Sequence, residues 1–159
     1  DWSSDVCSSD LLRNIYVDTP NYQTIEEAYT ELFIIHDSRY VAFTSARLSK
    51  ADSAKDAHKV AFEELVPNMQ DYEGGINGIT ITKDEETTIN GIDMYLFEGT
   101  INYGTDTKFD GYAKGCAFVL DGIPCEIVGS VIDKSQSQEL IAEISEIVDE
   151  MTQTVRSEE

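Results

Sequence analysis

Residues 92–155, IDMYLFEGTINYGTDTKFDGYAKGCAFVLDGIPCEIVGSVIDKSQSQELIAEISEIVDEMTQTV, decide the fold. The stretch begins with three segments rich in Ile, Val, Phe, Tyr and Thr, a composition typical of β-strands. These segments span 92–103, 111–120 and 125–132, and links containing Gly, Asp and Pro separate them. Links this short join antiparallel neighbours, because parallel strands need a long crossover. The sequence therefore predicts an antiparallel meander.

An amphipathic helix follows the meander. Ser135 and Gln138 form a capping-box pattern, after which apolar residues recur at helical spacing. The apolar positions are Leu140, Ile141, Ile144, Ile147, Val148, Met151 and Val155. Acidic residues take most of the remaining surface, so we expect the apolar face to pack on the sheet.

The chain is strongly acidic. Its 31 Asp and Glu residues outnumber its 11 Lys and Arg residues, which gives a formal net charge of −20 in 159 residues. Phosphate binding needs a basic face, so we expect neither a nucleic-acid partner nor an anionic membrane surface. No apolar run approaches the ~18 residues of a membrane span, so we expect no direct membrane insertion of this region.

The first eleven residues, DWSSDVCSSDL, have no periodicity and resemble a translated sequencing adapter. We interpret residues 1–11 as lying outside the fold, residues 12–156 as a single α+β domain and residues 157–159 as an acidic tail. A natural N-terminal signal or anchor would then be missing from this chain. An extracytoplasmic location is the expectation that we favour.

The N-terminal third admits two interpretations after an expected strand at residues 14–18. Thr24 and Glu27 form a capping box, and apolar residues at 25, 28, 29, 32 and 33 follow the pattern of a core-facing helix. The alternative is a hairpin that pairs a strand at 32–36 with a strand at 40–47. We favour the helix, followed by a separate strand at 40–46 with alternate residues on its two sides.

A second helix is expected after residue 52. Asp52 or Ser53 can cap its N-terminus, and its apolar stripe runs from Ala54 to Val66. Pro67 is expected to end it, since the residue before a proline avoids the α region.

One more strand leads into the meander. Alternating Ile and Thr residues predict a strand at 76–83, and the acidic residues 84–86 are interpreted as a solvated turn. Asn90-Gly91 predicts a tight turn into the next strand.

Cys116 and Cys125 lie on neighbouring predicted strands. With a two-residue loop between the strands, Cys116 faces Ile127 and Cys125 faces Phe118, whereas a four-residue loop places Cys116 opposite Gly129. A three-residue loop places the thiols on opposite faces of the sheet. None of these registers puts the thiols directly opposite, and diagonal neighbours at ~7–8 Å are too far apart for a disulfide. We expect two buried, reduced thiols.

Patterns for catalysis and metal binding are sparse. His36, His58 and the two cysteines lack the paired spacing of zinc ligands, and the acidic loops lack the spacing of an EF-hand. Calcium binding by those loops stays open. The chain has no nucleophile elbow and no Gly-rich phosphate loop. We therefore expect no catalytic residues, no metal and no cofactor.

A connecting loop in the meander offers a candidate contact surface. Aromatic side chains mixed with polar groups on a loop are typical of binding surfaces. The candidate partner-binding residues are Tyr103, Asp106, Lys108, Phe109, Asp110 and Tyr112. The competing interpretation is that the three aromatic residues cap the edge of the core.

The order of elements over residues 53–155 resembles the PsbP-like family. The resemblance rests on the helix at 53–66, the segments NGIDMY (90–95) and GYAKGCAF (111–118) in the meander, and the long C-terminal helix. This family contains extrinsic photosystem proteins and small bacterial lipoproteins. The resemblance implies an α/β/α sandwich, with an antiparallel sheet covered by helices on both faces. It also implies a membrane-tethered, extracytoplasmic and non-enzymatic accessory role.

We therefore expect a non-enzymatic accessory domain that binds a ligand or a protein, as the globular part of a tethered bacterial extracytoplasmic protein. Two alternatives stay open. One is an acidic, secretion-chaperone-like dimer that holds a client segment, which its hydrodynamic size would reveal. The other is a small hydrolase, which needs a polar pocket that the sequence does not locate. The partner and the oligomeric state are not predicted.

Overall fold

The computed structural model describes residues 2–3, 15–20, 22–27, 30–36, 39–68, 75–104, 107–132 and 138–157. Seven strands form one antiparallel sheet in these ranges, in the spatial order β1-β2-β3-β7-β6-β5-β4. The elements are β1 Gln23–Glu27, β2 Thr30–His36, β3 Arg39–Ser45, α1 Ala54–Asn68, β4 Ile76–Ile89, β5 Ile92–Tyr103, β6 Phe109–Leu120, β7 Ile123–Val131 and α2 Gln138–Thr154. Two further two-residue bridges join Trp2–Ser3 to Thr19–Pro20 and Ile15–Tyr16 to Arg156–Ser157.

Two tight turns produce the meander predicted from residues 92–132. Asn90 and Gly91 have φ values of 52° and 79°, and Asp121 and Gly122 have φ values of 52° and 78°. Positive φ at both central residues matches the twist of the flanking strands, and Asn, Asp and Gly tolerate that conformation best. The turns therefore place β5 directly after β4 and β7 directly after β6.

The register between β6 and β7 is the one expected for a two-residue loop. Cys116 lies opposite Ile127 and Cys125 lies opposite Phe118. Both cysteines are free and buried, as predicted. Burial raises the pKa of the Cys116 thiol to about 12, so this thiol stays protonated and unreactive.

The two helices cover opposite faces of the sheet, which confirms the predicted α/β/α sandwich. On one face α2 packs on alternate residues of the central strands, including Val41, Phe43, Cys116, Phe118 and Ile127. On the other face α1 packs on the residues between them, including Tyr40, Ala42, Tyr95, Phe97, Ala117 and Val128. Both faces of the sheet are therefore buried, and each helix covers a separate hydrophobic core.

The helix predicted at residues 25–33 is wrong, and the alternative hairpin is correct. Residues 23–27 and 30–36 are strands β1 and β2, and β2 pairs with β3. Leu32 and Phe33 are both buried, but they face opposite cores. A strand buried on both faces reads as a continuous apolar run, which is why the helical spacing was misleading.

The turn predicted at residues 84–86 is also wrong. Strand β4 runs without a break from Ile76 to Ile89 and pairs along β5, with a register shift between Ile81 and Lys83. It is one of the two edge strands of the sheet, and exposed charges on an edge strand discourage pairing with other chains. The acidic residues are therefore compatible with a strand, because they point to solvent there.

The helix ends follow the sequence signals with small shifts. Ser53 caps α1, because its Oγ accepts the backbone N–H of Asp56 at 3.1 Å. The expectation that Pro67 ends α1 is wrong, because the helix continues through Pro67 to Asn68, two residues beyond Val66. Ser135 lies outside the described residues, and α2 is described from Gln138. No helix in the described ranges has the length and apolar character needed to cross a membrane.

Candidate functional site

A carboxylate lies in the middle of the sheet, under α1. Glu126 on β7 is 1% exposed, and it sits on the α1 face because its neighbours Cys125 and Ile127 face α2. Its Oε2 accepts a hydrogen bond from Nδ1 of His58, which α1 brings over the sheet. Burial raises the pKa of Glu126 to about 7, and the hydrogen bond and charge of His58 act in the opposite direction.

The other carboxylate oxygen of Glu126 lacks a hydrogen-bond donor in the described part of the chain. Oε1 of Glu126 is buried and has no hydrogen-bond partner among the described residues. A buried acceptor without a donor is costly, so an interior position for Glu126 is hard to explain by packing alone. Buried ionisable pairs of this kind are common at functional sites.

Aromatic rings hold the imidazole of His58. The ring centroids of Phe62 and Tyr95 lie 5.7 Å from that of His58, and the centroid of Phe97 lies 4.5 Å from it. Phe62 is one helical turn after His58, and Tyr95 and Phe97 are on the same face of β5 because they are two residues apart. The ring is thus fixed by packing on three sides and by Glu126 on Nδ1.

An open pocket of about 710 Å³ lies beside this histidine, between α1 and the β4–β5 edge of the sheet. We call it the α1 pocket. Its lining residues come from three elements: Ser53, Lys55, Asp56, His58 and Lys59 from the start of α1, Ile81, Thr82, Lys83 and Asp84 from β4, and Tyr95 from β5. Pockets of this size accommodate small organic ligands.

Some polar side chains of the α1 pocket already form hydrogen bonds within the protein. Tyr95 donates its hydroxyl to Oδ2 of Asp84 at 2.8 Å, and Oδ2 of Asp56 accepts the backbone N–H of Asp52 at 3.3 Å. Burial, and then the Asp84 hydrogen bond, raise the pKa of Tyr95 to about 12, so Tyr95 remains a hydroxyl donor. Nζ of Lys55 lies 6.0 Å from the Tyr95 ring centroid.

The described residues of the predicted partner-binding loop do not line the α1 pocket. Tyr103 is fully buried, and its hydroxyl contacts the Tyr40 hydroxyl at 2.5 Å and Ser130 Oγ at 2.8 Å. Phe109 is half-buried and stacks on Tyr103, with ring centroids 5.5 Å apart. Tyr112 is half-buried and donates its hydroxyl to Oε2 of Glu98 at 3.0 Å.

The polar members of that loop are more accessible. Lys108 and Asp110 are exposed, and Oδ1 of Asp110 accepts a hydrogen bond from Asn102 at 2.6 Å. Asp106 lies outside the described residues. A binding role for the loop stays a prediction, and its accessible part is polar. In the described part of the chain, no three His, Cys, Asp or Glu side chains converge as metal ligands would.

Comparison with known proteins supports the fold. The solution structure of cyanobacterial PsbP (CyanoP) from Synechocystis sp. PCC 6803 is similar to this chain with a TM-score of 0.59 and 12% identity, over 99% of this chain and 92% of that one. PA94 from Pseudomonas aeruginosa, a protein of unknown function described as a regulator candidate, gives a TM-score of 0.45 and 10% identity over 87% and 88% of the two chains. No family model and no curated protein match the chain. The likeness to cyanobacterial PsbP shows a PsbP-like α+β fold.

Sequence reasoning missed the α1 pocket and its buried pair. Glu126 carried one usable signal, because it is the single acid within the apolar run from Ile123 to Val131. A charge in a strand that is buried on both faces needs a partner, and that requirement points to an ionisable group on the covering helix. His58 was the matching candidate on α1, but no spacing rule links it to a strand 68 positions later.

Proposed function

We propose that this chain is a non-enzymatic accessory domain that binds a ligand in the α1 pocket. The observation that carries the proposal is the junction of that open pocket with the buried His58–Glu126 pair. A well-formed pocket with convergent polar groups and a perturbed ionisable group is the best default for a binding site. The rigid sheet and the aromatic packing around His58 preorganise the pocket wall.

Two contacts support binding over catalysis. Among the described residues, Glu126 is the hydrogen-bond partner of His58, and no hydroxyl or thiol is held by its ring as a nucleophile would be. The Ser53 hydroxyl on the pocket wall already accepts the Asp56 N–H as the cap of α1. The buried thiol of Cys116 lies in the core on the other face of the sheet.

The accessory role proposed here includes a cellular location. The family resemblance supports a domain that serves as the globular part of a tethered, extracytoplasmic bacterial protein. Fractionation of source cells, followed by detection with an antibody against this domain, tests the location. Recovery of the protein in the cytosolic fraction would contradict it.

The binding role is tested by filling the pocket. A Trp at Thr82, an exposed pocket residue on β4, should occupy the space, and Thr88→Trp places the same side chain on the same strand outside the pocket. Each substitution removes one exposed Thr hydrogen bond, to Glu98 O or to Asp93 Oδ1 respectively. Trp is well tolerated in strands, so both variants should fold.

A protein-observed NMR screen of a diverse fragment library, which follows the backbone amide signals, then compares these proteins. We expect hits for the wild-type chain that shift the amide signals of His58, Lys83 and Tyr95. Thr82→Trp should lose these hits, whereas Thr88→Trp should keep them. Hits that instead shift Lys108 and Asp110 would assign binding to the loop predicted from sequence. Hits unaffected by Thr82→Trp would remove the pocket from consideration.

A small hydrolase is the second candidate, because the polar pocket that such an enzyme needs is present. His58 lies on it with Nδ1 held by a carboxylate, which is the arrangement of a general base. Hydrolysis of chromogenic esters or phosphoesters by the wild-type chain, lost in His58→Gln, would replace the binding role. The absence of turnover in both proteins is the expected result.

A further inference from the structure

The distribution of positive charge around the α1 pocket is unusual for this chain. Of the 11 Lys and Arg residues in a chain of net charge −20, three line this one pocket: Lys55, Lys59 and Lys83. None of the three forms an ion pair with a described residue. Asp56 and Asp84 also line the pocket, so three lysines stand against two carboxylates there, whereas acids outnumber bases 31 to 11 in the whole chain.

The geometry directs these charges toward one space. Lys55 and Lys59 are four residues apart on α1 and therefore share a side of the helix, and Lys83 lies across the pocket on β4. The two acids on the wall, Asp56 and Asp84, each already accept a hydrogen bond from the protein. The three ammonium groups are therefore the donors available to a ligand.

The wall between the lysines is apolar and aromatic. The Tyr95 ring is packed against His58 and Phe97, and Ile81 lies beside it on the pocket lining. Tyr95 is 3% exposed and its hydroxyl donates to Asp84, so a ligand can contact only the exposed edge of its ring, beside the half-buried Ile81. A flat apolar body can pack on such a surface while an attached anionic group reaches the lysines.

We propose that the α1 pocket selects a small organic anion, in which a carboxylate or phosphate binds Lys55, Lys59 and Lys83 and an apolar or aromatic body packs on Ile81 and the exposed edge of Tyr95. This inference rests on the proposed binding function and adds the class of ligand. A bare inorganic anion lacks the body, and a neutral analogue lacks the charge. Both are therefore expected to bind more weakly.

Four probes separate these contributions in amide chemical-shift titrations: benzoate, phenyl phosphate, benzamide and inorganic phosphate. We expect benzoate or phenyl phosphate to shift the signals of His58, Lys83 and Tyr95 in a saturable way. Benzamide and inorganic phosphate should bind at least about tenfold more weakly, a difference of ~1.4 kcal/mol. The ratio of benzoate to phenyl phosphate affinity then identifies the preferred anionic group.

Matched charge variants test the lysines. Lys59→Gln should weaken the better anion about fivefold or more, since the removed charge lines the pocket. Lys50→Gln changes the net charge equally at an exposed lysine outside the lining, and it should alter the affinity less than about twofold. Circular dichroism and urea unfolding check that both variants fold as the wild type does.

The possible outcomes distinguish the proposed anion selectivity from the ligand binding on which it rests. If benzamide binds the pocket as tightly as benzoate, or if both lysine variants weaken binding equally, the proposed selectivity for anions is wrong, but the pocket is still a binding site. If inorganic phosphate matches phenyl phosphate, the apolar body has no role and the inference is wrong in that part. If neither these probes nor the fragment library shifts the pocket signals, both the inference and the proposed function fail.

Discussion

Among the described residues, the buried carboxylate of Glu126 forms one hydrogen bond, with Nδ1 of His58. Water would solvate this group far better than the α1 core does, so its ionised form is disfavoured and its pKa rises to about 7. In the unfolded chain the same group titrates near 4.5. The folded state therefore binds more protons than the unfolded state between these two pH values.

The first prediction follows from that proton difference. Because stability falls with pH wherever the folded state holds the extra proton, ionisation of Glu126 should lower the free energy of unfolding as pH rises from about 4.5 to about 7. Glu126→Gln should remove this contribution, on the order of 3 kcal/mol at most. Urea unfolding at pH 4.5 and pH 7.5 measures it. Glu85→Gln, at an exposed position on β4, is the control and should leave the pH dependence as in the wild type.

The second prediction concerns the buried tyrosine of the candidate loop. Ser130 donates its hydroxyl to Tyr112 O, so Tyr103 donates to Ser130 and accepts from Tyr40. Tyr103→Phe removes both bonds from a fully buried site and should cost about 1–3 kcal/mol. Tyr112→Phe removes a half-buried bond to Glu98 and should cost about 1 kcal/mol or less. Equal losses in chemical denaturation would contradict the structural role of Tyr103.

At the scale of elements, α2 rests on β7 at a glycine. A Cβ added at Gly129 would overlap Cγ2 of Val148 and lie 2.8 Å from Cγ2 of Ile144, both buried on α2. The helix can approach the sheet this closely only because that position has no side chain. Close packing of this kind is rigid, so an extra methyl group must displace the helix.

The third prediction uses this contact. Gly129→Ala should destabilise the protein by about 1–3 kcal/mol through overpacking. Val148→Ala alone should also destabilise it, but the double variant should be more stable than the sum of the two losses predicts, by about 0.5 kcal/mol or more. Thermal unfolding of the four proteins gives the coupling. Gly78→Ala is the control, because nothing lies within 4 Å of its added Cβ. Strict additivity would show that α2 does not press on Gly129.

At the scale of the whole molecule, the two described residues near the start of the chain, Trp2 and Ser3, do not join the central sheet. Trp2–Ser3 pairs with Thr19–Pro20 in a separate two-residue bridge and not with any of the seven strands. Both helices pack on the large sheet, and its central strands supply most of the two cores. The interpretation of residues 1–11 as lying outside the fold stays a prediction.

The fourth prediction tests that interpretation. A chain that begins at residue 12 should melt within about 2 °C of the full chain, because two bridging residue pairs contribute less than about 1 kcal/mol. Differential scanning calorimetry of the two chains makes the comparison. A loss of several degrees would show that the N-terminal residues belong to the folded unit.

The α1 pocket is also a feature of the whole molecule, because several separate elements form it. Its walls come from α1, β4 and β5, and the carboxylate behind His58 comes from β7. No single element carries a recognisable functional pattern. The selectivity proposed for the pocket arises from side chains that the fold assembles.

The sequence by itself determined the architecture of the C-terminal half. Strand composition, the turn residues Asn90-Gly91 and Asp121-Gly122 and the heptad-like stripe of α2 are local signals, and local signals depend on few residues. The register of Cys116 and Cys125 is one of the three that the possible loop lengths allowed, and the two-residue turn at Asp121-Gly122 selects it. These features follow from the backbone preferences of short segments.

Only the tertiary structure decided the N-terminal hairpin, the unbroken β4 and the α1 pocket. Leu32 and Phe33 of strand β2 are buried in different cores, so the apolar run carries no alternation and its identity depends on residues distant in sequence. His58 and Glu126 meet because α1 crosses β7, a contact that no spacing rule encodes. Packing between elements far apart in sequence brings these groups together, and the chemistry of the site is a property of that packing.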